Sequence, residues 1–287
     1  MSITEVYSDF LNELKSIYDD READNIADWV FENVTHLKRW ERRGNKKTIT
    51  PGQKLKLNDY LQQLLKNRPV QYVLNEAWFY KEKFYVNNHV LIPRPETEEL
   101  VSWIISDLRM TVNKDSAEPL QVLDIGSGSG CIAIMLKKEL GTAFVTSIEV
   151  SDQALSVAIK NACELQAKIE FKKIDFLEEN EWQQLGEYDV IVSNPPYIPK
   201  SEKEHLSKNV SSFEPGISLF VDDNDPVIFY KKISNFAKLH LKREGSIYVE
   251  IHEEKVTQVS QVFIKNDFTI ELNKDIYGKD RMIRATK

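Results

Sequence analysis

The first 70 residues carry apolar side chains at the spacing of amphipathic helices. They recur every three or four positions, as on one face of a helix. Asn58 is the predicted N-cap of the third segment. The apolar positions of the three segments are Ile3, Val6, Tyr7, Phe10, Leu11, Leu14, Ile17 and Tyr18; Ala23, Ile26, Ala27, Val30 and Val34; and Leu57, Tyr60, Leu61, Leu64 and Leu65. The chain is therefore predicted to begin with a small helical bundle, which is large enough for a marginal core of its own.

The pattern changes at Trp78, where the stretch WFYKEKFYVNNHVLIP is aromatic and β-branched. With Asn87-Asn88 as a turn signal, this composition predicts a β-hairpin. Pro93 and Pro95 end the hairpin, and a helix with an acidic first turn follows from Glu96. We place the domain junction here. The predicted parts are a helical domain over 1–73, a hairpin linker over 74–95 and a larger domain over 96–287.

Beyond the junction, short apolar runs alternate with helical stretches. This alternation is typical of a parallel sheet covered on both faces. A last pair of runs, FTIELNKDI and RMIRAT, flanks a Tyr-Gly-Lys-Asp turn and predicts a terminal antiparallel hairpin. The five runs before it are LQVLDIG (120–126), FVTSIEV (144–150), IEFKKID (169–175), YDVIVSN (188–194) and GSIYVEI (245–251). The fold class is therefore α/β, with a mostly parallel sheet.

The composition is that of an ordinary globular protein, with 41% hydrophobic and 29% charged residues among 287. A formal net charge of -7 argues against a protein that binds mainly by neutralising phosphates. Cys131 and Cys163 have neither metal-ligand spacing nor a disulfide framework. The acidic N-terminus lacks a signal-peptide pattern, and no apolar segment reaches membrane-spanning length. We therefore expect a cytoplasmic protein without a metal site.

A glycine-rich loop, Asp124-Ile-Gly-Ser-Gly-Ser-Gly130, follows the first run of the sheet and precedes a helix. Glycines at alternate positions let the main chain turn tightly and approach a ligand. Glu149 ends the next strand, about 20 residues on, where an acidic side chain meets ribose hydroxyls. The third glycine comes one position too early for a dinucleotide fingerprint. The pattern therefore favours a nucleoside ligand without pyrophosphate.

S-adenosylmethionine fits that description. Its ribose can reach Glu149, and its charged amino-acid part can lie near the glycine turn and Asp124. Asp175-Phe176 ends the third run, where one polar group and one ring can flank adenine. Phe176 is equally well explained as an ordinary core residue. The predicted cofactor-binding residues are Asp124, Gly126, Ser127, Gly128, Ser129, Gly130, Glu149, Phe176 and Asn194.

The stretch Asn194-Pro-Pro-Tyr197 follows the fourth run. Two prolines fix two φ angles and remove two main-chain donors, which leaves rigid carbonyl acceptors. The Asn194 side-chain oxygen and the Pro195 carbonyl could each accept one N–H of a planar amide or exocyclic amine, and favour the charge that develops on it. Tyr197 could pack against the planar group or near a sulfonium. Asn194, Pro195 and Tyr197 are predicted to be catalytic, and Pro196 joins them in substrate binding.

These residues carry a resemblance to a known family. Class I methyltransferases that modify a planar nitrogen have [DNS]-P-P-[YFW] at this position, which Asn194-Pro-Pro-Tyr197 matches. Together with FYKEKFYVNNHVLIPRPETEEL, DIGSGSG and FEPGISLF, the chain from about residue 68 resembles the glutamine N5-methyltransferases of peptide chain release factors, PrmC or HemK. The helical start agrees in kind but less specifically.

The resemblance implies a Rossmann-like, seven-stranded, mostly parallel sheet and an enzyme that uses S-adenosylmethionine and releases S-adenosylhomocysteine. It implies methylation of the glutamine in the Gly-Gly-Gln motif of class 1 release factors. It also implies a monomer without stable nucleic-acid binding and places Asn194 in contact with both cofactor and substrate. We assign recognition of the release factor to the helical domain, because one glutamine offers little surface.

Several alternatives remain open. A glutamine methyltransferase of a ribosomal protein would share most motifs, and an adenine-N6 methyltransferase would share the NPPY loop but would need to bind phosphates. A non-catalytic binding module is more remote. The basic run 38–47 is either a solvated helix end or a docking surface. Ser212 and Val221-Asp-Asp-Asn224 depart from the family pattern, which leaves the conformation of 201–224 open.

Overall fold

The computed structural model describes residues 1–42, 48–111 and 118–287. It divides into two compact units, the first formed by Met1–Glu76 with Ser207–Phe213 and the second by Ala77–Leu206 with Glu214–Lys287. Among the described residues, no helix is long and apolar enough to cross a membrane. The predicted domain boundaries at 73 and 95 stay predictions, since compactness does not assign a role to either part.

Helices of both units are numbered here in chain order. They are α1 Ile3–Leu14, α2 Asp20–Thr35, α3 Arg39–Arg42, α4 Pro51–Leu64, α5 Val70–Leu74, α6 Pro95–Thr111, α7 Cys131–Leu140, α8 Asp152–Glu164, α9 Lys208–Phe213, α10 Ile228–His240 and α11 Val256–Ile264. The strands are β1 Ala77–Phe79, β2 Glu82–Phe84, β3 Gln121–Ile125, β4 Phe144–Glu149, β5 Glu170–Lys173, β6 Tyr188–Ser193, β7 Ile198–Pro199, β8 Phe220–Val221, β9 Leu241–Glu250, β10 Thr269–Lys274 and β11 Asp280–Thr286.

In the first unit, α1, α2, α4 and α5 enclose an apolar core. Phe31 lies at its centre with no exposed surface, and its ring meets the edges of Tyr7 and Phe10 at centroid distances of 5.0 and 5.4 Å. Helices α1, α2 and α4 begin at side-chain caps, as at Asp19, whose carboxylate accepts the Glu22 N–H. The predicted helical bundle is present.

The predicted N-cap of the third helical segment is wrong. Asn58 lies inside α4, which begins a full two turns earlier at Pro51. Thr50 caps it, because its hydroxyl accepts the Gln53 N–H while the Gln53 side chain accepts the Thr50 N–H. This capping box, with proline at the first helical position, is a stronger start signal than a single asparagine.

The described part of the basic run contains a buried arginine. The Arg42 guanidinium is paired with Asp28, donates to the Leu37 carbonyl at 2.9 Å and lies over the Tyr7 ring. Trp40, by contrast, has 68% of its surface exposed. Residues 43–47 of the run lie outside the described residues. Part of the charge in this run therefore serves the core of the first unit.

The second unit contains a seven-stranded sheet with the order β10-β11-β9-β6-β3-β4-β5. Strands β9, β6, β3, β4 and β5 pair in parallel, and β11 pairs antiparallel with β9 and β10. The predicted mostly parallel sheet with a terminal antiparallel hairpin is confirmed. Because β3 has β4 on one side and β6 on the other, the chain order reverses at β3, and a crevice opens at the carboxyl ends of these strands.

The first hairpin turns earlier than predicted. Strands β1 and β2 are joined by Tyr80-Lys81, both with positive φ, at 53° and 67°. Two residues with positive φ are typical of the type I′ hairpin turn, which usually takes Asn-Gly. Here the Glu98 carboxylate accepts the Tyr80 N–H at 2.9 Å and holds the turn. Asn87-Asn88 instead lies in a separate turn, closed by the Val90 N–H on the Asn87 carbonyl.

We predict that Phe31→Ala will destabilise the first unit by about 3–5 kcal/mol, because it opens a cavity between three helices. Urea unfolding monitored by circular dichroism will measure the change. Leu55→Ala is the matched control, since Leu55 is 74% exposed and its removal should cost less than about 0.5 kcal/mol. Equal effects of both substitutions would contradict the assigned core.

Candidate functional site

The glycine loop turns tightly between β3 and α7. Gly126, Gly128 and Gly130 have φ angles of 85°, 54° and 81°, a region that other residues adopt at a cost. The N–H groups of Gly126 and Ser127 both donate to the Ile148 carbonyl at 3.0 Å. The loop is thereby fixed to the carboxyl end of β4.

The three glycines meet different surroundings. A Cβ atom added at Gly126 or Gly128 would meet nothing within 4 Å. At Gly130 it would lie 3.1 Å from the Ile134 side chain and 3.2 Å from Ala158 Cβ. Gly126 and Gly128 therefore leave space beside the loop, while Gly130 allows α7 and α8 to pack closely.

Glu149 is held in place at the end of β4 by two main-chain donors. Its Oε2 accepts the Gly128 N–H at 3.0 Å, and its Oε1 accepts the Ser151 N–H at 3.0 Å. A carboxylate has about four acceptor positions, so both oxygens can still accept hydroxyl donors. The predicted partnership of the glycine loop and Glu149 is thus a direct hydrogen bond.

Asp124 lies beneath the loop and is fully buried. Ser147 Oγ donates to its Oδ2 at 2.8 Å. Burial raises the pKa of Asp124 to about 7, against the opposing effect of the Ser147 hydrogen bond. It does not line the cavity beside the loop, so a direct contact with the cofactor stays a prediction.

The NPPY loop begins where β6 leaves the sheet. Ser193 Oγ donates to the Ile125 carbonyl at 2.8 Å and joins the end of β6 to that of β3. Asn194 Nδ2 donates to Thr97 Oγ1 at 3.0 Å. Pro195 and Pro196 follow along the cavity wall. The strand pairing therefore places the first three loop residues beside the glycine loop.

Tyr197 takes a different direction. Its hydroxyl donates to Glu250 Oε1 at 3.2 Å, and its ring lies 5.8 Å from that of His252. Burial is the main cause that raises the pKa of Tyr197 above its ordinary value. Tyr197 does not line the cavity. Its contact with a substrate or sulfonium therefore stays a prediction.

Glu250 had no assigned role in the sequence. It ends β9, is 2% exposed, and accepts from Thr97 Oγ1 at 2.7 Å through Oε2. Burial raises its pKa to about 7, opposed by the Thr97 hydrogen bond and the charge of Arg281. A carboxylate at the end of a central strand, on the same sheet edge as Asn194, was the available signal. For Thr97 the sequence carried no such signal, because this residue lies far from the NPPY loop along the chain.

One cavity of about 210 Å³ unites most of the predicted residues. The predicted residues that line it are Gly126, Ser127, Gly128, Ser129, Glu149, Phe176, Asn194, Pro195 and Pro196. The Phe176 ring also stacks on that of Trp182 within the core, at a centroid distance of 5.4 Å. Its position is therefore compatible both with a contact to adenine and with an ordinary core role. Of the predicted site residues, Asp124, Gly130 and Tyr197 lie outside the lining.

Two further segments complete the cavity wall. Pro93 and Arg94 precede α6, and Ile217 lies in the FEPGISLF segment. The Arg94 guanidinium is paired with the buried Glu214 carboxylate, which also accepts the Ile92 N–H at 3.3 Å. This ion pair joins the two family-like stretches that the sequence indicated separately.

Solved structures share this architecture. The hMettl16 catalytic domain, solved with an RNA hairpin, has a TM-score of 0.53 and 15% identity over 83% of this chain and 82% of its own. Human methyltransferase 10 domain containing protein has a TM-score of 0.50 and 17% identity over 71% of this chain and 88% of its own. At such identities the likeness shows the fold alone.

Comparison with sequence relatives identifies the family more specifically than the shared fold does. The family model for the methyltransferase small domain matches residues 107–211. The release factor glutamine methyltransferase of Flavobacterium psychrophilum is 41% identical over 292 residues, 99% of either chain. The enzyme of that name from Streptococcus pneumoniae is 35% identical over 288 residues, 99% of this chain and 98% of its own. The chain belongs to the release factor glutamine methyltransferase family.

Proposed function

We propose that this protein transfers a methyl group from S-adenosylmethionine to the side-chain nitrogen N5 of the glutamine in the Gly-Gly-Gln motif of class 1 release factors. One observation carries the proposal: Asn194 and Pro195 line the same cavity as the glycine loop and Glu149. A planar amide held by the first pair would face a methyl donor held by the second. Family membership supports the release factor as the target.

The residues around the cavity fit S-adenosylmethionine. Glu149 offers acceptors for ribose hydroxyls, and Gly126 and Gly128 leave room for a ligand against the main chain. The Ser127 hydroxyl is buried, lines the cavity, and has no hydrogen-bond partner among the described residues. A buried hydroxyl of this kind gains a partner if a polar ligand enters. Phe176 and Ile174 supply apolar wall for a base.

When bound, the cofactor would supply a methyl group that is activated because a neutral thioether is left when the sulfonium gives it up. The protein's part is to hold the amide. Asn194 Oδ1 and the Pro195 carbonyl would accept the two N–H groups of the glutamine, which orients the nitrogen and favours positive charge as it forms its new bond to carbon. The S–C bond breaks as the N–C bond forms, and the nitrogen then loses one proton to water.

The loop beyond these acceptors is held rigid by its own chemistry. Pro195 and Pro196 lack N–H groups, and the partly buried Tyr197 anchors the next turn on Glu250. Tyr197 would thus act first through the position of the loop. The hydrogen bond from its hydroxyl to Glu250 and its packing against the core favour this role in positioning the loop. The predicted contact with the substrate is a second role.

We assign recognition of the intact release factor to the first unit. A glutamine side chain offers little surface, and selectivity among proteins needs a wider interface. Trp40 exposes 68% of its surface in the first unit, and exposed tryptophans are frequent anchors of protein interfaces. With a net charge of -7, stable nucleic-acid binding is not expected. A monomer acting in the cytoplasm completes the proposal.

The first test of the proposed function concerns the substrate. Incubation with labelled S-adenosylmethionine should transfer label to a class 1 release factor, and not to ribosomal protein or DNA. Mass spectrometry should place one methyl group on the glutamine of Gly-Gly-Gln, and a release factor with asparagine there should stay unlabelled. Label on DNA alone would refute the proposed target.

A second prediction separates turnover from cofactor binding. Asn194→Ala should lower kcat by roughly 100-fold or more, because it removes an acceptor aimed at developing charge. Its affinity for S-adenosylhomocysteine, measured by calorimetry, should change by less than about threefold. Asn235→Ala, an exposed asparagine of α10, is the control and should change neither. Parallel losses of turnover and affinity would mean that Asn194 mainly serves the cofactor.

The third prediction tests recognition by the first unit. Trp40→Ala should raise KM for the intact release factor roughly fivefold, as expected when an interface aromatic is lost. KM for a short Gly-Gly-Gln peptide and kcat for both substrates should stay unchanged. Trp78→Ala, at 54% exposure in the second unit, is the matched control. An equal rise for the peptide would place the effect at the site itself.

A further inference from the structure

The amide of Asn194 presents two atoms of opposite character. Its Oδ1 can accept an N–H of a substrate amide, whereas its Nδ2 can only donate. A rotation of 180° about the last side-chain bond exchanges the two atoms and would place a donor against the substrate's donors. The proposed chemistry therefore requires something that keeps the amide in one orientation.

Thr97 supplies a partner that depends on the orientation. Asn194 Nδ2 lies 3.0 Å from Thr97 Oγ1, which in turn lies 2.7 Å from Glu250 Oε2. A hydroxyl has one proton, and an ionised carboxylate can only accept. Thr97 therefore donates to Glu250 and must accept from Asn194. Only the amide nitrogen, and not its oxygen, satisfies that acceptor.

Glu250 is itself held from several sides. Its Oε1 accepts the Tyr197 hydroxyl at 3.2 Å, and its main-chain carbonyl accepts the Tyr230 hydroxyl at 2.9 Å. Thr97 and Glu250 are each 2% exposed, so the hydrogen bond between them is well shielded from bulk water. A buried acceptor with fixed position fixes the direction of the hydroxyl that donates to it.

We propose that Thr97 and Glu250 are positioning residues that hold the Asn194 amide with Oδ1 toward the substrate nitrogen. This inference rests on the proposed function and adds two residues to its site. Neither acts on the reacting atoms. Both act through Asn194, by a chain of hydrogen bonds that has one direction as long as Glu250 is ionised.

The charge of Glu250 sets that direction. The groups that face it are Glu96 and Thr97 of α6, Tyr197, Tyr230 of α10 and Arg281 of β11. Burial raises its pKa to about 7, so it is protonated below that pH and ionised above. A protonated Glu250 can donate to Thr97, whose own proton can then turn to Asn194. The amide loses its preferred orientation, and methyl transfer should slow as the pH falls through about 7.

The main test removes the hydroxyl of Thr97. In the full-length protein, Thr97→Val should lower kcat for the release factor roughly tenfold or more, with KM changed less than about twofold. Thr97→Ser keeps the hydroxyl and should recover most of the rate. Thr146→Val is the matched control, because Thr146 Oγ1 makes the same type of bond to Glu170, at 3.1 Å, away from the cavity. It should leave kcat unchanged.

A second readout follows the network without any substrate. The NMR signals of the Asn194 side-chain amide should shift with pH near 7 in the wild-type protein, and stay flat in Glu250→Gln. The acidic limb of the kcat profile should likewise flatten in Glu250→Gln. Asp124 also has a pKa of about 7 but is present in both proteins, so the comparison isolates Glu250.

Three results would overturn the proposal: a Thr97→Val enzyme as fast as the wild type, a Thr97→Ser enzyme as slow as Thr97→Val, or a Glu250→Gln protein with an unchanged amide titration. Urea unfolding of each variant identifies loss of folding, and rates are compared only where folding is intact. Failure of the proposed function is a different result, in which the wild-type protein does not label the release factor. The NMR titration then still decides whether Glu250 controls the amide.

Discussion

The pairing of β3 with β4 on one side and β6 on the other is the constraint on which the site depends. It brings three carboxyl ends together, so that residues far apart in sequence meet without any long loop. The glycine loop follows β3, Glu149 is the last residue of β4, and Asn194 follows β6. Two short bonds fix the arrangement, from Gly128 N–H to Glu149 and from Ser193 Oγ to the Ile125 carbonyl. Parallel pairing therefore brings the residues of the site together, and these side-chain hydrogen bonds then hold them in place.

Much of the second unit was predictable, because its signals are local. Apolar runs bounded by turn residues predicted the strands, and glycines at alternate positions predicted the tight loop after β3. Rules for crossover connections restrict the possible sheet orders, and they need no side-chain detail. The errors have local causes as well. Asn58 and Asn87-Asn88 are typical cap and turn residues, but the capping box at Thr50 and the carboxylate of Glu98 decided the outcome.

The part of the site that was missed consists of contacts at long range. Thr97 meets Asn194 across nearly a hundred positions, and Arg94 meets Glu214 across more. No periodicity or motif spacing connects such pairs in a single sequence. Tyr197 illustrates the same limit from the other side. Its motif indicates contact with a substrate, but its orientation is set by Glu250, which belongs to a different strand.

Two of the buried carboxyl groups, Asp124 and Glu250, have a raised pKa, and this makes them costly for folding. The pKa of Glu250 and of Asp124 is about 7 in the folded chain, above the ordinary values of 4.5 and 3.8. A raised pKa means that the folded state binds the proton more tightly than the unfolded state. Stability from each group is therefore greatest at acidic pH and falls as the pH rises from the ordinary value to about 7.

Above pH 7, ionised Glu250 costs on the order of 3 kcal/mol of stability relative to a chain in which its pKa is unchanged. An apolar residue at the end of β9 would avoid that cost. The group sits instead where it can fix Thr97 and, through it, the amide that faces the cavity. Local rules of stability are commonly broken at sites of function, where a strained or charged arrangement is offset by the packing around it. Here the fully buried Tyr230 and the sheet beneath Glu250 provide that packing.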